Sequence, residues 1–183
     1  STVTLIFAAM FSSFSYIADY LSRVTHLNNN AISAMLILFG VCGFAGNFVF
    51  SGFLQKNVVQ TTVFYPLLFT VLLLLVWFVG FSPLLMCLLT VFWGAFHSSG
   101  LVVSQTWLMR EASEAPEFAN SLYMSFSNLG ITLGSLTGGW FIARLGTHSV
   151  VLSSVIFALL AFVSILIKHS SDAQSAPLCK ETI

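Results

Sequence analysis

The chain has 183 residues, of which 57% are hydrophobic and only 7% charged, and six basic and six acidic side chains leave a formal net charge of zero. A soluble domain carries about 25% charged residues, so this chain cannot solvate a water-facing surface, and its mean hydropathy of +0.96 puts lipid around most of it. The balanced charge gives no electrostatic reason to expect nucleic acid or an acidic substrate.

Ser1 leads directly into an apolar run, without the basic stretch or small-residue cleavage site of a removable signal peptide. The lack of an initiator Met points to a processed, partial or excised sequence. A helix needs about 20 apolar residues to cross the hydrocarbon core. Runs of that length predict spans at 3–22, 31–54, 59–80, 84–108, 119–142 and 149–168, followed by a tail over 169–183. The runs are too long, and alternate too little, to be strands. The expected fold class is therefore all-α: a polytopic membrane protein with six transmembrane helices.

The first span carries Ser12, Ser15, Tyr16, Asp19 and Ser22 at helical spacing, which puts a polar stripe on one face. The second holds Gly40, Gly43, Gly46 and Gly52. The third, around Leu67–Trp77, is almost purely apolar. The fourth repeats the polar stripe with Thr90, Trp93, His97, Gly100 and Ser104, and Gln105 lies beside it. In the fifth, Gly130, Gly134 and Gly138 share a face where another backbone can approach closely. Ser121, Ser125, Asn128, Thr132 and Ser135 lie roughly opposite. The sixth is again nearly all apolar. The chain thus runs twice through the same order of polar-striped, glycine-rich and apolar helices. A 3+3 inverted repeat of this kind forms one half of a two-domain secondary transporter.

Polar stripes inside a bilayer must face protein or a water-filled cavity. The first, fourth and fifth spans are accordingly expected to supply the lining. Ser12, Tyr16, Asp19, Trp93, His97, Gln105 and Asn128 are the candidates for a substrate and proton pathway. Gly43, Gly46, Gly130, Gly134 and Gly138 are the candidates for close helix packing, and the third and sixth spans are read as lipid-facing supports. Each candidate also has a plainer reading. His97 titrates near physiological pH and could couple protons, or it could be a neutral side chain bonded to a neighbouring helix. Asp19 stands four residues before Arg23, the spacing of a surface ion pair. Asn128 either binds substrate or bridges helices. Glu114, Pro116 and Glu117 suit the start of a helix.

The three cysteines, Cys42, Cys87 and Cys179, are far apart and show no metal-binding spacing. No metal, no cofactor and no enzyme chemistry is expected. Lys56, Arg110, Lys168 and Lys180 fall on the side of the termini, whereas Arg23 and Arg144 fall on the other. The excess of positive residues predicts cytoplasmic termini.

The stretch Glu114-Ala115-Pro116-Glu117-Phe118-Ala119-Asn120-Ser121-Leu122, followed by Ser127-Asn128-Leu129-Gly130-Ile131-Thr132-Leu133-Gly134-Ser135 and Gly138-Gly139, resembles the penultimate helix of the major facilitator superfamily. Within that superfamily it is similar to the bacterial drug:proton antiporter and sugar-efflux branch. Ser15-Tyr16-Ile17 resembles the branch's seventh helix. Gly52-Phe53-Leu54-Gln55-Lys56-Asn57 resembles a degraded Gly-x-x-x-Asp-Arg loop, with Gln55 where the family usually has an acid. The resemblance covers nearly the whole chain but only the second half of the family's twelve-helix pattern. It implies a C-terminal six-helix domain in the inner membrane of a bacterium. It further implies a small-molecule substrate, coupling to protons and a partner: the missing N-terminal six-helix half or a second copy. A non-transporting membrane scaffold or assembly domain, and a homodimeric half-transporter or channel, remain open alternatives.

Overall fold

The computed structural model describes residues 2–112 and 115–175, apart from the side chains of residues 111 and 169–175. Glu114, Cys179 and Lys180 lie outside the described residues, as does most of the expected tail. The described part is all-α. It comprises α1 (Thr2–Phe14), α2 (Ile17–Arg23), α3 (Asn29–Lys56), α4 (Val58–Val79), α5 (Pro83–Glu111), α6 (Pro116–Leu145) and α7 (Val150–Ser175), with a 3-10 turn at Thr147–Ser149.

Local chemistry accounts for the helix ends. Asn28 caps α3 by accepting from the Ala31 N–H at 2.9 Å. Asn57 alone separates α3 from α4, closing the first through its N–H to the Phe53 carbonyl and capping the second by accepting from the Gln60 N–H at 3.1 Å. Gln55 and Lys56 are therefore helical and do not belong to a loop. Pro83 and Pro116 stand in the first turns of α5 and α6, where the missing N–H costs no helical bond. Gly146 ends α6 at φ 90°, a conformation that a side chain would resist.

The first span differs from the expected single helix because it breaks between α1 and α2. Tyr16 leaves helical geometry at φ −119° and ψ 16°, and its N–H turns to the Ser13 carbonyl at 3.1 Å. Ser15 bonds back to the Phe11 carbonyl at 2.7 Å, a contact that bends helices.

The packing follows the repeat. The most extensive pairings are α3 with α5 and α1 with α6, and exchanging the two triplets turns one pairing into the other. The same exchange relates α1–α7 to α4–α5, while α4 and α7 pack on each other. That correspondence is what an inverted repeat requires. Among the described residues, five segments are long and apolar enough to cross a membrane: α1 with α2, α3, α4, α5, and α7 with its leading turn. α6 is just as long, at 30 residues, but Ser, Thr and Gly dilute its apolar content.

The sixth span, read as a lipid-facing support, is two-faced: Ile156, Leu159, Leu160, Val163 and Ile167 stay exposed, while the other face packs on α1. α7 presents a row of hydroxyls to α1: Ser153 bonds Ser12, Ser154 bonds Ser13 at 2.5 Å, and Ser164 bonds Thr2 at 2.9 Å. Inside a membrane such bonds contribute only about 0.6 kcal/mol each, so their main effect is to set register. The third span is similarly two-faced. Tyr65 is buried and donates to the Phe96 carbonyl at 2.9 Å. The carbonyls at the end of α4 receive Tyr20 at Val76 (3.0 Å), His148 at Trp77 (2.9 Å) and Thr25 at Gly80 (2.7 Å).

Candidate functional site

The site is built where the broken first span meets α6. A Cβ added to Gly130 would lie 2.5 Å from the Thr4 carbonyl oxygen, and one added to Gly134 would lie 2.6 Å from that of Ala8. One added to Gly138 would meet the Ser12 carbonyl. The glycines thus step along α1 four residues at a time, and this close approach brings the break onto α6. There Ser15 and Ser135 share a hydrogen bond of 2.7 Å, and the Tyr16 hydroxyl donates to the Ser135 carbonyl at 2.9 Å.

From Ser135 a neutral polar row runs up α6 through Thr132 and Asn128, both exposed. Thr132 donates to the Asn128 carbonyl and the Asn128 amide to the Met124 carbonyl, each at 2.9 Å. α3 is held to α5 by the same kind of approach. A Cβ on Gly46 would fall 2.6 Å from the Ala95 Cα, while one on Gly43 would meet the Ser98 hydroxyl.

An aromatic chamber begins at Phe14, the last residue of α1 before the break. His97 is buried, with ring centroids 4.3 Å from Phe14, 5.2 Å from Phe11 and 5.4 Å from Phe39. Its Nδ1 has no hydrogen-bond partner, nor does the indole N–H of Trp93, fully buried one helical turn away. Unpaired buried donors and acceptors are uncommon and mark positions where structure and function compete.

In this bundle the α5 stripe is covered by protein. Thr90, Trp93 and Ser104 are fully buried, and Phe11, Phe14 and Phe39 cover His97. Thr90 and Ser104 bond back to the carbonyls of Met86 and Gly100 at 2.8 and 2.5 Å, so their hydroxyls are satisfied without a cavity. Ser12 likewise faces α7. Asp19 binds Arg23 at 2.9 Å, and both side chains are substantially exposed. Gln105 is exposed on α5, away from the buried stripe. Tyr16 therefore lies at the break, Asn128 stands two helical turns beyond Ser135 on α6, Trp93 and His97 share the chamber, and Ser12, Asp19 and Gln105 stand apart.

Sequence reasoning passes over the phenylalanines around His97, because a Phe among many apolar neighbours carries no signal of its own. It also misses a matched pair of exposed apolar stripes. Ile37, Val41, Phe44 and Phe48 on α3 are repeated at identical spacing by Leu129, Leu133, Leu136 and Trp140 on α6. Comparing the two triplets position by position would find them. Among the described residues, no three His, Cys, Asp or Glu side chains gather into a metal site.

The profile of the Major Facilitator Superfamily matches residues 1–178. The chain belongs to the Major Facilitator Superfamily. Its inverted-repeat bundle is half of that superfamily's fold, and it is a multi-pass membrane protein. It is 31% identical to the Pseudomonas aeruginosa "Transcription regulatory protein OpdE" over 91% of this chain and 42% of that one. It is 32% identical to the Escherichia coli "Inner membrane transport protein YdhP", over 97% of this chain and 46% of the relative. It is 24% identical to a Pasteurella multocida "Probable sugar efflux transporter", over 94% and 43%. The chain therefore spans less than half the length of these relatives. No solved structure matches it.

Proposed function

We propose that this bundle is one half of a proton-coupled secondary transporter that exports small, neutral, amphipathic compounds across a bacterial inner membrane. The observation that carries the reading is the joint at Ser15, Tyr16 and Ser135, flanked by a neutral polar row and an aromatic chamber. Hydroxyls and an amide offer hydrogen bonds to a polar substrate, and ring faces accept its apolar side. Among the described residues, Asp19, Arg23, Lys56, Arg110 and Lys168 lie near the ends of the apolar spans and Glu117 and Arg144 near the ends of α6, so charge does not select the substrate in mid-membrane.

The partner is a second six-helix half, against which this bundle rocks about a central site. The apolar stripes of α3 and α6 are the surfaces available for that contact. Names of relatives support the direction and place of transport: one is an inner membrane transport protein, another a probable sugar efflux transporter. Both termini face the cytoplasm, so a cysteine placed at Asn57 should react with a membrane-impermeant reagent only from the inside.

The full-length protein in proteoliposomes, given an imposed pH gradient, should move a labelled neutral sugar or ring-bearing amphiphile uphill. Collapse of that flux by a protonophore is the expected control. Flux no greater than in protein-free liposomes, for either compound class, would overturn the reading. It would leave a membrane scaffold or regulator, which the Pseudomonas relative's name favours.

A further inference from the structure

We propose that the outer seam where α3, α4 and α7 meet, at the Lys56 end of the bundle, binds one anionic phospholipid with its two acyl chains straddling Phe64. Two clefts open there. One, of about 260 Å³, runs between α3 and α4 and is lined by Phe50, Phe53, Tyr65 and Leu68 together with Gln60 and Phe64. The other, of about 310 Å³, runs between α4 and α7 and is lined by Val59, Val63 and Leu166, again with Gln60 and Phe64. Two residues are thus common to both. Phe64 is the ridge between the clefts, and Gln60, one turn nearer the membrane surface, stands at the head of each.

The seam exists because α3 spends its packing surface on α5 and touches α4 far less extensively. Its walls face away from the α1–α6 joint, and Phe53, Phe64 and Leu68 remain about half exposed. In a bilayer, acyl chains fill such clefts whatever their headgroup, so selectivity has to come from the polar end. On α3 and α4 the chemistry there is one-sided, the acids of that end, Glu111 and Glu117, belonging to α5 and α6. Lys56 ends α3 one turn beyond Phe53, and the positive end of the α4 dipole lies at the same end, although Asn57 already takes the Gln60 N–H there. No Asp or Glu occurs between Asp19 and Glu111 to oppose an anion on α3 or α4. A phosphodiester with an uncharged headgroup complements this end better than a zwitterionic lipid, whose ammonium would meet the Lys56 cation.

The test is competitive binding to the purified protein in mild detergent, read by native mass spectrometry with equimolar phosphatidylglycerol and phosphatidylcholine. One phosphatidylglycerol should be retained preferentially. Lys56→Gln should cut that preference about fivefold, the effect of one basic residue at an anionic surface. Arg23→Gln, at the opposite end of the bundle, should leave it unchanged. Diacyl phosphatidylglycerol should outcompete its single-chain lyso form, and Phe64→Ala, which merges the clefts, should erase that advantage while keeping the headgroup preference. Lys56 and Phe64 are exposed, so folding is expected to survive both changes, and matching circular dichroism would verify this. Equal retention of the two headgroups by the unmodified protein, equal effects of Lys56→Gln and Arg23→Gln, or equal retention of the diacyl and lyso forms would each overturn the proposal.

Discussion

Gly134→Leu is expected to separate α1 from α6 and destabilise the bundle by about 3 kcal/mol, the upper end of ordinary overpacking costs. A Cβ at Gly134 would lie 2.6 Å from the Ala8 carbonyl oxygen and 2.9 Å from the Ala8 Cα. Both atoms are backbone, so no rotamer change can make room. The helices would have to move apart, which would loosen the contacts at Gly130 and Gly138 and the hydrogen bonds that tie Ser15 and Tyr16 to Ser135. Lipid offers no hydrophobic drive to push them together again. Unfolding in mixed micelles, followed by circular dichroism, measures the effect. Gly134→Ala should fall between wild type and Leu. Gly40→Leu provides the control, because nothing lies within 4 Å of a Cβ at Gly40. If Gly134→Leu unfolded at the wild-type midpoint, the glycine face would not be what holds α1.

His97→Gln in the full-length protein should abolish uphill export driven by a pH gradient while leaving downhill exchange of substrate. The reason is the contrast between the chamber and an open cavity. A formal charge among Phe11, Phe14 and Phe39 is expensive. If His97 is the coupling group, as the proposed function requires, its protonation would have to wait until those rings part and water enters. Glutamine retains hydrogen-bonding capacity but cannot carry the proton. His97→Phe separates coupling from packing, since a phenyl ring suits an aromatic chamber. It should fold normally and also lose uphill export. Wild-type uphill export by both variants would make His97 a packing residue and shift the coupling role to another group. Loss of downhill exchange in both would make its role substrate binding. Sedimentation and unfolding controls distinguish these outcomes from simple misfolding.

Much of the architecture was legible because a membrane penalises the wrong choice so heavily. A backbone in hydrocarbon must satisfy its own polar groups, so each long apolar run could only be a helix, and charged residues marked where helices end. Glycine spacing was equally readable: Gly130, Gly134 and Gly138 recur every four residues, which puts them on one face whatever they meet. The broken first span was not legible. Ser15 and Tyr16 fit a continuous helix in isolation, and only their bonds to Ser135 and to nearby carbonyls hold the interruption.

The two polar stripes show where periodicity ends and packing begins. A stripe establishes that Thr90, Trp93, His97 and Ser104 avoid lipid, but protein and water are equally good refuges for them. The sequence by itself determined an all-helical membrane bundle, its doubled triplet and its small-residue faces, because helix formation and avoidance of lipid are local properties of each run. Only the tertiary structure decided that Phe11, Phe14 and Phe39 cover His97, that Ser12 faces α7, and that Ser15 and Tyr16 join α6. Those outcomes depend on which neighbour each helix face meets. That is fixed by side-chain fit across 58 to 141 residues of chain, which no period within one helix records.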